Sequence, residues 1–296
     1  MNLLHKVEEA MMQYGGSSRR SIGDFILKEK NDLHKYSLQE IAGQTYTSKA
    51  AVVRFAQALG FSGWKEFVKA FTEEQSYQAQ HYSNIDANFP FTKDSRRKDI
   101  INQLCSLQVE SLLDTADLLN EAPLDECAAL LLGSRRVAMF GLNPNFALAE
   151  LFKRKMLSIG RQVELPSQGD VGLLAHSLDK YDCAVIISYS GNTPTGALSV
   201  LPTLQQRHVP VIGITSVGDN LLRQKADYTL SISSYERLYS KISTFGTENS
   251  ILFILNVLFS ICFAADYDAN LERKIGTARE LESTRRVTNE QALKET

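Results

Sequence analysis

The chain has 296 residues, a formal net charge of −2 and a hydrophobic share of 44%, a length and balance that suit two medium globular domains, each with its own core. No polybasic tail advertises nucleic acid, so any DNA contact has to come from a local patch. Cys105, Cys127, Cys183 and Cys262 lie far apart, with no C-x-x-C pair and no histidine at ligand spacing; they read as reduced, mostly buried cytosolic thiols, with no disulfide frame, metal site or cofactor expected.

Residues 1–20 contain Glu8 and Glu9 and no long apolar run, which does not read as a signal peptide. Over residues 20–29, Ile22, Phe25 and Ile26 follow the i, i+3, i+4 spacing of an amphipathic helix. Ser37 then caps a short helix over 38–44, with Glu40 as the other half of a capping box and Ile41 and Ala42 facing inward. Thr45-Tyr46-Thr47 is a tight connection to a helix over 48–59, which offers Val52, Val53, Phe55, Ala56 and Leu59 to a core and stops at Gly60.

Two short helices joined by so tight a turn have the geometry of a helix-turn-helix, whose second helix enters the major groove by its N-terminal end. Here that end carries Thr47, Ser48 and Lys49, with Arg54 further along. Hydroxyls and lysine bond phosphates or base edges, and arginine is the commonest bidentate reader of guanine. Lys65 and Lys69 on the next helix suit phosphate contacts. A three-helix packing unit with no DNA role would show the same pattern.

Residues 72–95 turn polar, with Glu73, Glu74, Gln75, Gln78 and Gln80 before Asn88-Phe89-Pro90, and read as a linker. A helix is expected over 100–119 through Leu104, Leu107, Leu112 and Leu113, ended by Pro123. The boundaries expected are a helix-turn-helix domain over 1–77, a linker over 78–98, an α/β domain with its leading helix over 99–283 and a charged tail over 284–296.

In the second half strands alternate with helices. Strands are predicted over 136–141, 163–165, 184–188, 209–214 and 228–232, and helices over 146–158, 171–178 and 194–207. This alternation implies a doubly wound parallel sheet that binds ligands at the carboxyl ends of its strands. The loops at 142–145 and 188–193 both emerge at that edge. The second follows the apolar run Val185-Ile186-Ile187 of a strand covered on both faces. Ser188, Ser190, Gly191, Asn192 and Thr193 follow, then Pro194. Thr193 suits an N-cap and Pro194 a first helical position. Free amides at such a helix start, three hydroxyls and a glycine that lets the backbone come close would cradle a phosphate monoester. An ordinary strand-to-helix turn also favours these residue types.

The order Ser188-x-Ser190-Gly191-x-Thr193 resembles the second phosphosugar-binding segment of the sugar isomerase (SIS) domain family. That resemblance implies phosphate contacts by Ser188, Ser190 and Thr193. Val52-Val53-Arg54-Phe55 and Leu59-Gly60-Phe61-Ser62-Gly63-Trp64-Lys65-Glu66-Phe67 are similar to the signature of RpiR-type regulators. Proteins of that family carry an all-α helix-turn-helix domain followed by an α/β SIS domain. The resemblance spans about residues 1–71 and 124–265 and implies an operator-binding regulator, a homodimer or homotetramer, that senses a phosphorylated sugar.

Two places depart from the family pattern. Gly141-Leu142-Asn143-Pro144-Asn145 stands where the family writes Gly-x-Gly-x-Ser, so Asn143 replaces a glycine and Asn145 a serine. Asparagine tolerates left-handed backbone and donates through its amide, whereas Pro144 removes an N–H. Thr247-Glu248 and Asn256 stand where relatives have Ser-Arg and a later Asp. Glu248 is a helix-start residue or, turned into the pocket, a partner for sugar hydroxyls. A sugar-phosphate isomerase, the alternative reading, needs a proton-transfer base. Glu248, Glu150, His176 and His208 are the candidates, and none has a spacing that marks a base. A DNA-binding dimer with a degenerate, ligand-free SIS domain is the third reading. The most apolar segment, 251–265, falls short of the ~20 residues that span a bilayer and reads as a core or interface helix.

Overall fold

The computed structural model describes residues 3, 7, 10–11, 17–30, 32–81, 85–167, 169–192, 196–218, 220–233 and 236–282, with 73–81 as backbone alone. The predicted tail over 284–296 lies outside the described residues.

Among the described residues the N-terminal part has the helices α1 (Ser17–Lys28), α2 (Leu38–Gln44), α3 (Lys49–Ala58) and α4 (Trp64–His81), a 3₁₀ turn (Leu33–Lys35) between the first two, and helical residues at 3, 7, 10 and 11 ahead of them. They close on one core in which Ile22, Ile26, Leu33, Ile41, Val52, Phe55, Phe67 and Phe71 are fully buried. Each local signal is realised. Ser37 and Glu40 form both bonds of a capping box, and Ser48 Oγ accepts from Ala51 N–H at 3.1 Å as the N-cap of α3. Gly60 takes φ 93° and ends α3 with the paired bonds Phe61 N–H to Ala56 O and Gly60 N–H to Gln57 O, a Schellman stop. Trp64 and Phe71 flank Phe67, with ring centroids 5.2 and 5.4 Å away. The polar stretch expected to begin a linker at 72 instead continues α4 to His81.

The second half opens with α5 (Arg97–Leu118) and α6 (Glu121–Gly133). Pro123 was expected to end the first of these helices. It lies instead in the first turn of α6, where a residue without an N–H costs no helical bond. There follow β1 (Val137–Gly141), α7 (Asn145–Ser158), β2 (Val163–Glu164), α8 (Val171–Ser177), β3 (Cys183–Ser188), a 3₁₀ turn (Gly196–Val200), α9 (Leu201–Gln206), β4 (Val211–Ser216), α10 (Leu221–Lys225), β5 (Tyr228–Ile232), α11 (Phe245–Ala264) and α12 (Tyr267–Glu282).

The five strands are parallel in the order β2-β1-β3-β4-β5. Successive β3 residues point to opposite faces. Val185 and Ile187 join Leu131, Phe152, Met156, Ile254 and Leu258 on one side. Ala184 and Ile186 join Phe140, Leu198, Leu204 and Leu222 on the other. Both faces are therefore covered, which is why β3 reads as an unbroken apolar run.

Two expectations about helices change. The helix predicted over 194–207 is in its described part a 3₁₀ turn followed by α9. Gly196 has φ 65°, and Pro202, at the start of α9, would clash with the carbonyl four residues back if the α-helix extended through it. The apolar segment predicted at 251–265 is part of the 20-residue helix α11, long and apolar enough by composition to cross a membrane. Ile251, Ile254, Leu255, Leu258 and Cys262 are nonetheless buried in the domain core.

The amino end of the sheet is tied by charge. Asp182, fully buried just before β3, accepts from Arg135 Nη2 at 2.9 Å and Arg136 Nη2 at 3.0 Å. Burial pushes its carboxyl up, but the bonds from Arg135, Arg136 and the Asp179 amide outweigh burial and hold it at about 2.

Candidate functional site

At the opposite, carboxyl edge the register pairs Gly141 with Ile187, so the loops after β1 and β3 leave the sheet side by side. Asn145, the first residue of α7, donates its side-chain amide to Ile187 O at 3.5 Å. Leu142, 60% exposed, packs over Gly196, whose missing Cβ would lie 2.7 Å from Leu142 Cδ1. The Asn143–Pro144 bond is cis, and Asn143 is exposed. The left-handed angle that an asparagine can supply is not used there: among the described residues other than glycine, only Tyr46 and His208 have positive φ.

Ser188 and Ser190 are half-buried at the lip of β3. Ser188 Oγ accepts from Gly191 N–H at 3.3 Å. Gly191 has φ 61°, and a Cβ there would meet Asn220 Oδ1 at 2.2 Å and Thr215 Oγ1 at 2.6 Å, so glycine is required both for its backbone angle and for close approach. Asn220 is itself the N-cap of α10, accepting from Arg223 N–H at 2.9 Å. Gly191 O accepts from Leu222 N–H at 2.9 Å, and Asn192 Oδ1 accepts from Leu221 N–H at 2.9 Å. The loop after β3 is thus pinned to the start of α10. The oxygen of Asn192 holds that scaffold and leaves its amide nitrogen as the donor. Thr193 and Pro194 lie outside the described residues.

Sequence reasoning missed Glu236, a buried carboxylate that fills the N-terminus of α11. Its Oε1 accepts from Gly246 N–H at 2.6 Å and Thr247 N–H at 3.2 Å, and its Oε2 accepts from the Thr247 hydroxyl at 2.7 Å. Lys241 Nζ lies 3.4 Å from Glu236 Oε2 and 5.3 Å from the Tyr189 ring centroid. Tyr189, between the two serines, donates its phenol to Glu236 O. Burial, then the Glu236 carboxylate, pushes that phenol up to about 12, which keeps it a neutral donor. The only signal for such an arrangement is the free amides that every helix start presents. Nothing local in the sequence indicates which residue fills them.

Glu248 takes the hydroxyl of Thr244 on its Oε1, a pairing within the first turn of α11. The other base candidates stay outside the cradle bonds described above. Glu150 is exposed and pairs with Lys153 at 3.5 Å, His176 is exposed in the last turn of α8, and His208 stands at the left-handed stop of α9. Among the described residues no group of His, Cys, Asp and Glu is arranged to hold a metal.

In the N-terminal part, Lys49 and Arg54 are exposed on α3 and Lys65 on α4. Thr47 Oγ1 lies 2.8 Å from Thr45 Oγ1, which in turn donates to Ile41 O at 2.7 Å. Ser48 uses its oxygen as the α3 cap and keeps a hydroxyl proton to donate.

Known proteins carry both halves. The profile of the rpiR-family helix-turn-helix domain matches residues 1–78 and that of the SIS domain residues 130–254. An uncharacterised HTH-type transcriptional regulator of Haemophilus influenzae is 25% identical over 275 residues, 92% of this chain and 94% of that protein. Solved structures share the fold. The NanR protein of Vibrio vulnificus, complexed with ManNAc-6P, aligns over 97% of this chain and 100% of its own, with a TM-score of 0.58 and 19% identity. The sugar isomerase domain of an RpiR transcription factor from Sphaerobacter thermophilus aligns over 60% of this chain and 98% of its own, with a TM-score of 0.53 and 15% identity. With the helical amino-terminal unit and the five-stranded parallel sheet in that order, the chain belongs to the RpiR family of transcriptional regulators, a helix-turn-helix domain followed by a SIS domain.

Proposed function

We propose that this regulator is a cytosolic homo-oligomer that binds operator DNA through α2 and α3 and senses a phosphorylated sugar or amino sugar at the loops after β1 and β3. The observation that carries the reading is the shape of the β3 loop: Ser188 and Ser190 stand at the sheet edge around a glycine held at φ 61°, a cradle suited to a phosphate monoester. Its site residues are Asn143, Asn145, Ser188, Ser190, Gly191, Asn192, Thr193 and Glu248, and its DNA residues are Thr47, Ser48, Lys49, Arg54 and Lys65. The ManNAc-6P bound to the Vibrio vulnificus protein supports the same ligand class here. In this reading the domains are those expected from the sequence, and the ligand regulates by binding one arrangement of the paired α3 helices better than another. No catalysis is included, because the base candidates pair locally or stand exposed.

The test is a thermal-shift screen over sugar phosphates, joined to fluorescence anisotropy on the DNA upstream of the gene. Stabilisation by one sugar phosphate class, with a change in DNA affinity on adding it, is the expected result. The absence of salt-sensitive, sequence-selective DNA binding by the intact protein would refute it.

A further inference from the structure

Helix α2 ends in a Schellman stop: Thr47 N–H donates to Ala42 O at 2.8 Å and Tyr46 N–H to Gly43 O at 3.3 Å. This motif puts one residue in the left-handed region, and glycine is the usual occupant. The stops of α3 and α7 follow that rule with Gly60 at φ 93° and Gly160 at φ 78°. At the end of α2 the residue is Tyr46, at φ 53°. His208 is the other exception among the described residues, and histidine is enriched in this region where bulky side chains are not. Burial does not compensate Tyr46, since it is 97% exposed. Its side chain adds steric cost to the fold without packing in return.

The position puts the phenol on a rigid corner. Tyr46 lies two residues before Ser48, the cap of α3. The buried Thr45 fixes the turn through its bonds to Ile41 O and Thr47 Oγ1. Strain retained at an exposed site indicates use, and the element it adjoins is the helix end that carries Thr47, Ser48 and Lys49.

We propose that Tyr46 is a DNA-contact residue, its phenol donating to a backbone phosphate beside the groove that α3 enters. This rests on the reading of α2 and α3 as the DNA-binding pair. A phosphate contact adds affinity to every sequence alike. A neutral donor displaces no counterion, so it leaves the salt dependence of binding unchanged.

The experiment uses full-length wild type, Tyr46→Gly and Tyr46→Phe. Anisotropy is read over a salt series on a labelled duplex of the upstream DNA and on a scrambled duplex of equal length, with thermal unfolding alongside. Tyr46→Gly is expected to melt several degrees higher, because the left-handed cost is gone. It should bind both duplexes roughly tenfold more weakly, with the wild-type salt slope. Tyr46→Phe should keep the wild-type melting temperature and bind both duplexes several-fold more weakly. A Gly variant that melts lower than wild type, or a Phe variant that binds as tightly as wild type, overturns the assignment. Wild type that binds neither duplex removes the helix-turn-helix reading itself, a distinct result.

Discussion

Tyr189 and Glu236 are joined by a hydrogen bond from the phenol of one to the main-chain carbonyl of the other, across 47 residues of sequence. The first belongs to the β3 loop, and the second closes the start of α11 with its carboxylate. A displacement of the β3 loop therefore acts directly on the seating of the helix that forms much of the domain core.

Removing that carboxylate exposes what it satisfies. Glu236→Ala leaves the Gly246 and Thr247 amides without their acceptor and Lys241 without its partner. Loss of one member of a buried pair costs about 3 kcal/mol or more. Glu236→Gln keeps one carbonyl acceptor and should lose roughly half as much. Urea unfolding of the three proteins checks the order; equal stability of wild type and the Ala variant would contradict the contacts described.

Gly191→Ala tests the close approach beside the serines. Its Cβ would meet Asn220 Oδ1 at 2.2 Å, in a backbone region that alanine resists, so a loss of about 2–3 kcal/mol is expected. The loop must also move, and stabilisation by a sugar phosphate should vanish in a thermal-shift assay.

The hydroxyls can be probed without forcing a clash. Ser190→Ala combined with Thr193→Val should abolish thermal stabilisation by the sugar phosphate while leaving DNA binding in its absence intact. Undiminished stabilisation would place the ligand elsewhere.

Acid should loosen the amino end of the sheet. Asp182 titrates at about 2 in the folded protein and near 4 when unfolded. Its contribution is therefore complete above about pH 4 and disappears as the pH falls through about 2. Arg135 is 55% exposed, and solvent screening reduces that contribution to about 1–2 kcal/mol. Urea melts of wild type and Asp182→Asn between about pH 5 and 2 should show the gap between them closing with acid. A gap independent of pH would contradict the clamp.

Arg54→Ala should weaken specific DNA binding by ~1–3 kcal/mol if the side chain reads a base, with the melting temperature unchanged because Arg54 is exposed. Anisotropy against specific and scrambled duplexes separates this from a phosphate contact, which would weaken both equally.

Local chemistry was legible in the sequence. Ser37, Ser48 and Gly60 placed α2 and α3 to within a residue, and the run Val185-Ile186-Ile187 announced a strand covered on both sides. What was not legible depends on partners distant in the chain. Helix α11 begins six residues before the segment predicted for it, because Glu236 supplies an acceptor for the amides of Gly246 and Thr247, and no spacing rule connects them. The role of Asn192 likewise depends on Leu221, 29 residues away. Pro123 misled because proline breaks a helix interior but suits a first turn.

Asn88, ahead of α5, bears on how the protein can be divided. Its side chain accepts from Arg237 N–H at 2.6 Å and its carbonyl from Ile242 N–H at 2.8 Å, while the Asn88 N–H donates to Asp86 Oδ1 at 2.8 Å. The segment nearest the amino-terminal half is therefore stitched into the far end of the other half. A fragment intended to carry the SIS half alone should start upstream of Asp86, since a cut just before α5 would free residues 237–242 and with them Lys241, which stands over the Tyr189 ring of the β3 loop.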